Sequence, residues 1–181
     1  MAVIEAIETV YLEADQASVT FDALGSYEHL QLRMMLRSTN TVSQYMLGEM
    51  RFGDTDGIDS TGNYAHQYMS ATGTSEGGAG GTGFDAARFY TGALNNYNVG
   101  AGFYGEVVID ILDYQSTTKN VVYQYVGTSM ASTGSQFMVM GTGSWDKPTL
   151  GNPMTQFYIQ NSSGNHIRGS SFTLYGLNSA N

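Results

Sequence analysis

The sequence predicts an all-β protein, an antiparallel two-sheet β-sandwich of jelly-roll type with about 8–10 strands. Three observations lead to this fold class. Apolar and polar residues alternate over many short segments, no long helical pattern separates these segments, and 23 glycines accompany 2 prolines and only 13% charged residues. Because α/β folds need helices between their strands, the pattern favours a sandwich.

The strand predictions follow the alternation along the chain. It is clearest in residues 27–38, where four apolar side chains share one face of a half-buried strand: Leu30, Leu32, Met34 and Leu36. Segments GEVVIDILDY and KNVVYQYVG repeat the period and flank a polar turn, DYQSTTK, of the length that joins antiparallel neighbours. The other strand candidates are IETVYLEA, SVTFDAL, SQYMLGEMRF, NYAHQYMSA, SQFMVMGTGSW, PMTQFYIQN and SSFTLYGL.

The 181 residues are expected to form one domain, 1–181. No internal repeat is found, which argues against propellers and solenoids. The segment 72–83, TGTSEGGAGGTG, is almost devoid of apolar side chains. We predict a flexible glycine-rich loop there and not a domain linker, because the strands before it are too few to complete a domain.

Charge and cysteine content exclude several classes of function. The net charge of −9 argues against a protein that binds nucleic acid by neutralising phosphates, and also against binding to an anionic membrane. The chain has no cysteine and therefore no disulfide, thiolate zinc site or cysteine nucleophile. Glutamates at positions 5, 8 and 13 stand where a signal peptide would be basic and then apolar, so we expect no secretory leader. No apolar run is long enough to span a membrane.

Two catalytic patterns occur by sequence, and neither has its structural context. Residues 73–77 match G-x-S-x-G, whose serine must sit on a sharp turn between a strand and a helix, but more glycine follows. Gly78, Gly80 and Gly83 match G-x-G-x-x-G, which needs a helix to receive pyrophosphate. His66 lies in a strand pattern and is expected to pack there. We therefore predict no enzyme, no catalytic residue and no cofactor.

An acidic turn offers a weak calcium candidate. Asp54, Asp56 and Asp59 supply carboxylate oxygens, but an EF-hand would need an oxygen ligand in place of Ile58 and a glutamate in place of Ala65. An irregular calcium site in a sandwich loop is the alternative to a solvated turn, and the sequence favours the turn.

Aromatic residues crowd a segment otherwise composed largely of Gly, Asn and Ala, a mixture that is typical of contact surfaces. The candidate interface residues are Phe84, Phe89, Tyr90, Tyr97, Phe103 and Tyr104. The alternative is that these rings cap the open end of the sandwich. Met34 and Met35 are adjacent, so one of them must point outward from a regular strand, and some apolar surface is expected to lie between subunits.

Four segments, taken in order, resemble virion proteins of tailed bacteriophages. They are VTFDALGSYEHLQLRMMLRS, MRFGDTDGIDSTGNYAH, GEVVIDILDYQSTTKNVV and GNPMTQFYIQNSSGNHIRGSSFTLYGL, which together cover most of the chain. The resemblance implies a jelly-roll sandwich, commonly a homotrimer, on the particle surface. It carries no catalytic residue. The glycine-rich segment departs from the pattern, and we interpret it as a part that meets a partner.

The expected function is that of a structural virion protein, made in the host bacterial cytoplasm and located on the virion surface. Its expected partners are itself and other virion proteins, such as the major capsid protein or tail components. Capsid decoration is placed first because the chain has no repetitive shaft, and a tail fibre or fibre adaptor is the alternative. From another class, a carbohydrate-binding module stays open, although the single Trp145 lies in a strand pattern typical of core packing.

Overall fold

A computed structural model describes residues 3–40, 46–91, 93–94, 102–132 and 135–179, and within these ranges the chain forms fourteen strands and no helix. No membrane-spanning helix is found in that part of the chain. The strands are β1 (Val3–Tyr11), β2 (Ser18–Phe21), β3 (His29–Ser38), β4 (Met46–Asp54), β5 (Gly57–Ile58), β6 (Tyr64–Thr72), β7 (Ser75–Phe84), β8 (Ala87–Thr91), β9 (Ala93–Leu94), β10 (Gly105–Leu112), β11 (Val121–Ser132), β12 (Ser135–Trp145), β13 (Gln156–Asn161) and β14 (Ser171–Asn178).

The strands form two sheets that pack as a sandwich, which confirms the predicted all-β fold class. The larger sheet has the order β1-β14-β3-β10-β11-β12-β6-β7, with the short β9 parallel to β3. The smaller sheet has the order β2-β13-β4-β5, with β8 also paired to β4. Every described pairing except that of β9 is antiparallel. Residues 113–120, which include the predicted polar turn 113–119, join β10 to its antiparallel neighbour β11.

The register separates an inner from an outer face of the larger sheet. Leu32 lies opposite Ile109 on one side and Leu174 on the other, and all three are fully buried. Arg33, the next residue, faces solvent. Because residues directly opposite in a ladder share a face, the alternation in each strand continues from strand to strand. Met34 is buried and Met35 is exposed, which confirms the prediction that one of them points outward.

Aromatic rings fill the core between the sheets. Phe52 of β4 lies with its ring centroid 5.8 Å from that of Trp145, 6.1 Å from that of Tyr64 and 6.2 Å from that of Tyr123. Trp145 is buried, as its strand pattern indicated. The β4 side chain therefore joins the smaller sheet to three strands of the larger one, in the offset and edge arrangements that aromatic rings favour.

The glycine-rich segment is a strand and not a loop. Residues 75–84 form β7, which pairs with β6 along its length after a turn in which Gly73 has a φ of +59°. A Cβ at Gly78 would lie 2.8 Å from the carbonyl oxygen of Tyr68, and one at Gly80 would lie 2.8 Å from that of His66. The prediction of a loop over 72–83 is wrong, because glycine here permits the close approach of two backbones.

Three further strands were not predicted. The segments β5, β8 and β9 contain two, five and two residues, too few for alternation to be recognised. Together with β7 they raise the described strands from the ten expected to fourteen.

Candidate functional site

The structure does not bring the predicted aromatic residues together on one surface. Phe89 is fully buried, and its ring fills the space in which a side chain at Gly48 would stand. Its assignment to an interface is therefore wrong: β8 pairs with β4 in the smaller sheet, and Phe89 points to the core. Phe103 is 44% exposed, whereas the Tyr104 hydroxyl donates a 2.9 Å hydrogen bond to the Arg168 carbonyl. Tyr97 lies outside the described residues.

Phe84 and Tyr90 belong to a packed cluster around His66. The His66 ring lies 5.4 Å from Tyr68 and 5.9 Å from Phe84, and Tyr68 lies 4.4 Å from Tyr90. The guanidinium of Arg88 stands 3.9 Å above the Phe84 ring. Burial, together with the charge of Arg88, lowers the pKa of His66. The cluster fastens β6, β7 and β8 to each other, which agrees with the capping alternative for these rings.

The acidic turn is held together by its own hydrogen bonds. Asp59 is buried and accepts hydrogen bonds from Thr61, Asn63 and the indole of Trp145, at 2.6 to 2.9 Å. Burial raises the pKa of Asp59, but these hydrogen bonds outweigh it and hold the pKa below its ordinary value.

Asp54 is also buried, and its Oδ1 accepts the backbone N–H of Asp56 at 2.8 Å. No group of three or more His, Cys, Asp or Glu side chains suited to a metal ion occurs in the described part of the chain. The three aspartates form a structural turn, which favours the alternative to calcium. The turn is less solvated than the sequence indicated.

The two catalytic patterns lie in the β6–β7 hairpin. Ser75 begins β7, and Gly78, Gly80 and Gly83 lie along that strand. Neither pattern is followed by a helix, since the described residues form none. The strand context therefore supports no nucleophile elbow and no phosphate-binding turn.

The outer face of the larger sheet carries a row of four apolar side chains, of which three are exposed and one, Val108, is half-buried. The register places Val108 opposite Val126, Val126 opposite Met140, and Met140 opposite Met69, so that the row crosses four adjacent strands. Val126 is 53% exposed and Met69 is 62% exposed. We call these four residues the outer apolar row. Met35 and Met138 lie in the next cross-strand row of the same face and add two exposed thioethers.

A row of polar side chains runs beside the outer apolar row. It contains the next outward-facing residue of each strand. Asp110 accepts hydrogen bonds from Gln31 at 2.8 Å and from Gln124 at 3.2 Å. Arg33 donates to Gln31 at 2.7 Å and lies 4.8 Å from the centre of the Tyr175 ring. The polar row consists of Gln31, Asp110, Gln124, Thr142 and Gln67. These bonds hold the Asp110 carboxylate in place from both sides.

The two rows border a shallow depression of about 490 Å³. Its lining contains one carboxylate, that of Asp110, and no histidine, serine, cysteine or lysine among the described residues. The lining also includes the hydroxyl-bearing residues Thr142, Tyr68 and Tyr125. The lining combines aliphatic side chains, such as those of Val108 and Val126, with the hydrogen-bonded amide of Gln124.

The outer face of the smaller sheet differs in character. Arg51 donates hydrogen bonds to the Tyr158 hydroxyl at 2.7 Å and to the Asp85 carboxylate at 3.1 Å. Gln160 donates to Glu49 at 2.9 Å. Side chains that satisfy one another in this way suit a solvated surface, whereas the outer apolar row exposes aliphatic surface to solvent.

No protein-family model and no curated protein matches the chain. Among solved structures, it is similar to a legume lectin-like domain from Entamoeba histolytica, with 9% identity over 99% of this chain and 90% of that chain and a TM-score of 0.31. It is also similar to a fructofuranosidase from Schwanniomyces occidentalis, with 6% identity over 97% of this chain and a TM-score of 0.30. The chain spans about a third (34%) of that enzyme. At these TM-scores, neither likeness bears on function.

Proposed function

We propose that the protein is a non-enzymatic structural subunit of a bacteriophage virion that acts through its outer sheet face, as a capsid decoration protein. The observation that carries the proposal is the outer apolar row, in which Val108, Val126, Met140 and Met69 stand side by side on the solvent face of the larger sheet. Contiguous exposed apolar surface on a folded protein is characteristic of interaction sites.

The chemistry of this face supports contact with protein. Methionine adapts its shape to irregular surfaces, and four exposed methionines (Met35, Met69, Met138 and Met140) lie on the face. Sugar rings instead stack on exposed aromatic side chains, and the outer apolar row is aliphatic throughout. The face therefore favours a protein partner over the carbohydrate-binding alternative.

The choice of a phage particle depends on the resemblance of the four ordered segments. That resemblance leads us to propose capsid decoration first and a tail fibre or fibre adaptor second. The major capsid protein or a tail component is then the neighbouring protein, and self-association, which the resemblance implies as a homotrimer, stays a prediction.

Particles with and without the protein test the proposal. We expect particles that lack it to lose infectivity faster on heating or in low salt, with normal adsorption to the host. Binding to the folded state stabilises both components, so removal of a decoration subunit weakens the shell. Lost adsorption with intact particles would move the assignment to the tail fibre.

The result that overturns the proposal is normal survival and normal adsorption together. Glycan-array binding by the purified chain in that case would favour the carbohydrate-binding alternative. As a matched control, particles carrying Leu150→Glu should behave as wild type, because Leu150 is exposed in a turn away from the sheet face.

A further inference from the structure

We propose that the outer face of the larger sheet binds a second copy of the same chain, face to face, about a twofold axis parallel to β11. The inference rests on the proposed function for the role of this face as a contact surface, and it proposes a pair of chains in place of the homotrimer that the resemblance implies. It names the partner, the symmetry and the residues that meet.

Three strands of the face on each side of β11 can be matched with each other. On one side lie β10, β3 and β14, with β1 beyond them at the edge, and on the other lie β12, β6 and β7. A twofold axis along β11 therefore sets β10 over the partner's β12, and β3 over the partner's β6. An interface of this symmetry uses one patch twice, so the patch must be complementary to itself.

The side chains meet this requirement. Rotation about β11 keeps each cross-strand row in register with itself. Val126 faces the partner's Val126, Val108 faces the partner's Met140, and Met69 faces the partner's Arg33, so each member of the outer apolar row is covered. Two sheets with aligned strands pack in this manner about 10 Å apart.

The polar row is also complementary in this arrangement. Asp110 faces the partner's Thr142, and Gln31 faces the partner's Gln67, so no carboxylate meets another. A twofold axis across the strands at Val108 would instead place Asp110 opposite the partner's Glu106. Like charges in contact are costly, and this selects the axis along β11.

The third strand from β11 fits the same arrangement. Tyr175 of β14 lies opposite Gln31, beside the edge strand β1, in the position that faces Gly80 of the partner's β7. A strand of glycines presents no side chain there and leaves room for the ring. The ring and the glycine strand therefore match across the proposed interface.

The available area is sufficient for a stable pair. Seven strands about 4.8 Å apart give a face ~34 Å wide, and four outward residues per strand give a length of ~24 Å. The resulting ~800 Å² is the share that each partner contributes to a standard specific interface. For a chain of net charge −9, a row of four uncharged side chains also offers low electrostatic repulsion between two copies.

The mass of the purified chain in solution is the first test. We expect twice the 19.5 kDa of a single chain by light scattering at micromolar concentration. Val126→Glu places two carboxylates face to face on the axis and should raise the dissociation constant at least ~100-fold. Leu150→Glu, at a position that is 57% exposed outside this face, should change it less than ~3-fold.

Crosslinking provides a second test that needs no disruptive substitution. The chain has no cysteine, so Val126→Cys creates a single reactive site. With facing backbones ~10 Å apart, a short bismaleimide should join two chains that carry Val126→Cys into a covalent pair, whereas chains that carry Leu150→Cys should stay single. If the glutamate variant fails to fold, this experiment decides.

Four results would overturn the pairing: a single-chain mass, a three-chain mass, a pair that survives Val126→Glu, or no crosslink at position 126. The test is independent of the particle experiment. Particles that need the protein although its isolated chain stays single would overturn the pairing and leave the proposed function intact. A stable pair made by a protein that particles do not need would overturn the proposed function alone.

Discussion

The indole Nε1 of Trp145 donates a 2.7 Å hydrogen bond to Oδ2 of Asp59, and both side chains are buried. Asp59 opens the turn that leads into β6, and Trp145 ends β12. The hydrogen bond fixes this turn against the core from the side of the larger sheet, while Thr61 and Asn63 fix it locally. An acidic residue that resembled a metal ligand in the sequence is thus a structural acceptor.

Asp59→Ala should destabilise the protein by ~3 kcal/mol, because it leaves the buried Trp145 N–H without its acceptor. Asp56→Ala is the matched control: Asp56 is exposed and accepts a 3.2 Å hydrogen bond from Asn152, so its loss should cost less than ~1 kcal/mol. Urea unfolding of both variants measures the difference. Equal losses, or a higher melting temperature of the wild type in millimolar calcium, would contradict this assignment.

Mild acid should weaken the fold through His166. This residue is fully buried, and burial lowers its pKa to about 4. Between the ordinary histidine pKa of about 6.5 and the folded value, the unfolded chain binds a proton that the folded chain excludes, so the free energy of unfolding falls as the pH falls. The loss from this residue approaches ~3 kcal/mol at the lower end of that range.

The free energy of unfolding should be measured with urea at neutral pH and at about pH 4.5. Its decrease between the two pH values should be smaller in His166→Gln than in the wild type. His66 contributes in the same direction, since its pKa is also lowered. His66→Gln should therefore remove a further part of the loss of stability in acid. An unchanged pH dependence in His166→Gln would show that the residue is protonated in the folded state without cost.

Gly141→Ala should destabilise the sandwich by ~2 kcal/mol, because close-packed strands leave no room for the methyl group. A Cβ at Gly141 would lie 2.5 Å from the ring of Tyr125 and 2.7 Å from the carbonyl oxygen of Gln67. Gly102→Ala is the control, since no described atom lies within 4 Å of its Cβ position. Thermal unfolding should separate the two variants, and equal melting temperatures would contradict the tight packing of β12.

The ten strands that were predicted are those whose side chains alternate. Leu30 and Leu32 mark β3 because every second side chain there must be apolar to reach the core. Alternation of apolar and polar side chains shows which face of a strand is buried. Strand β7 is mostly glycine and therefore has almost no side chains that could alternate. Its conformation is set by pairing with the backbone of β6, which no pattern of side chains in the sequence reveals.

The contact surface was only partly predictable for a related reason. Adjacent methionines at 34 and 35 signalled one outward apolar side chain. Val108, Val126, Met140 and Met69 come from four strands, and only the register brings them into one row. The clustering of rings in sequence was misleading for Phe89, since a residue in the smaller sheet can point inward beside a glycine such as Gly48.

The edge strand β7 should be poorly protected against hydrogen exchange. Its residues up to Gly83 are exposed, and it pairs with β6 on one side only among the described strands. Strand β11, by contrast, lies between β10 and β12 and carries the buried Val121, Tyr123 and Tyr125. Local opening costs less where few apolar contacts break, so amides of β7 should exchange at least ~10-fold faster than those of β11.

Gly80→Val tests whether the glycines of β7 are needed for its pairing. A Cβ at position 80 would lie 2.8 Å from the carbonyl oxygen of His66, so valine must push β7 away from β6 and raise its exchange rates further. Ala79→Val is the matched control, because residue 79 already carries a Cβ at an exposed position. Amide exchange rates in β7 should be measured on the wild type and both variants. Equal rates would show that the glycines are not needed for the contact of β7 with β6.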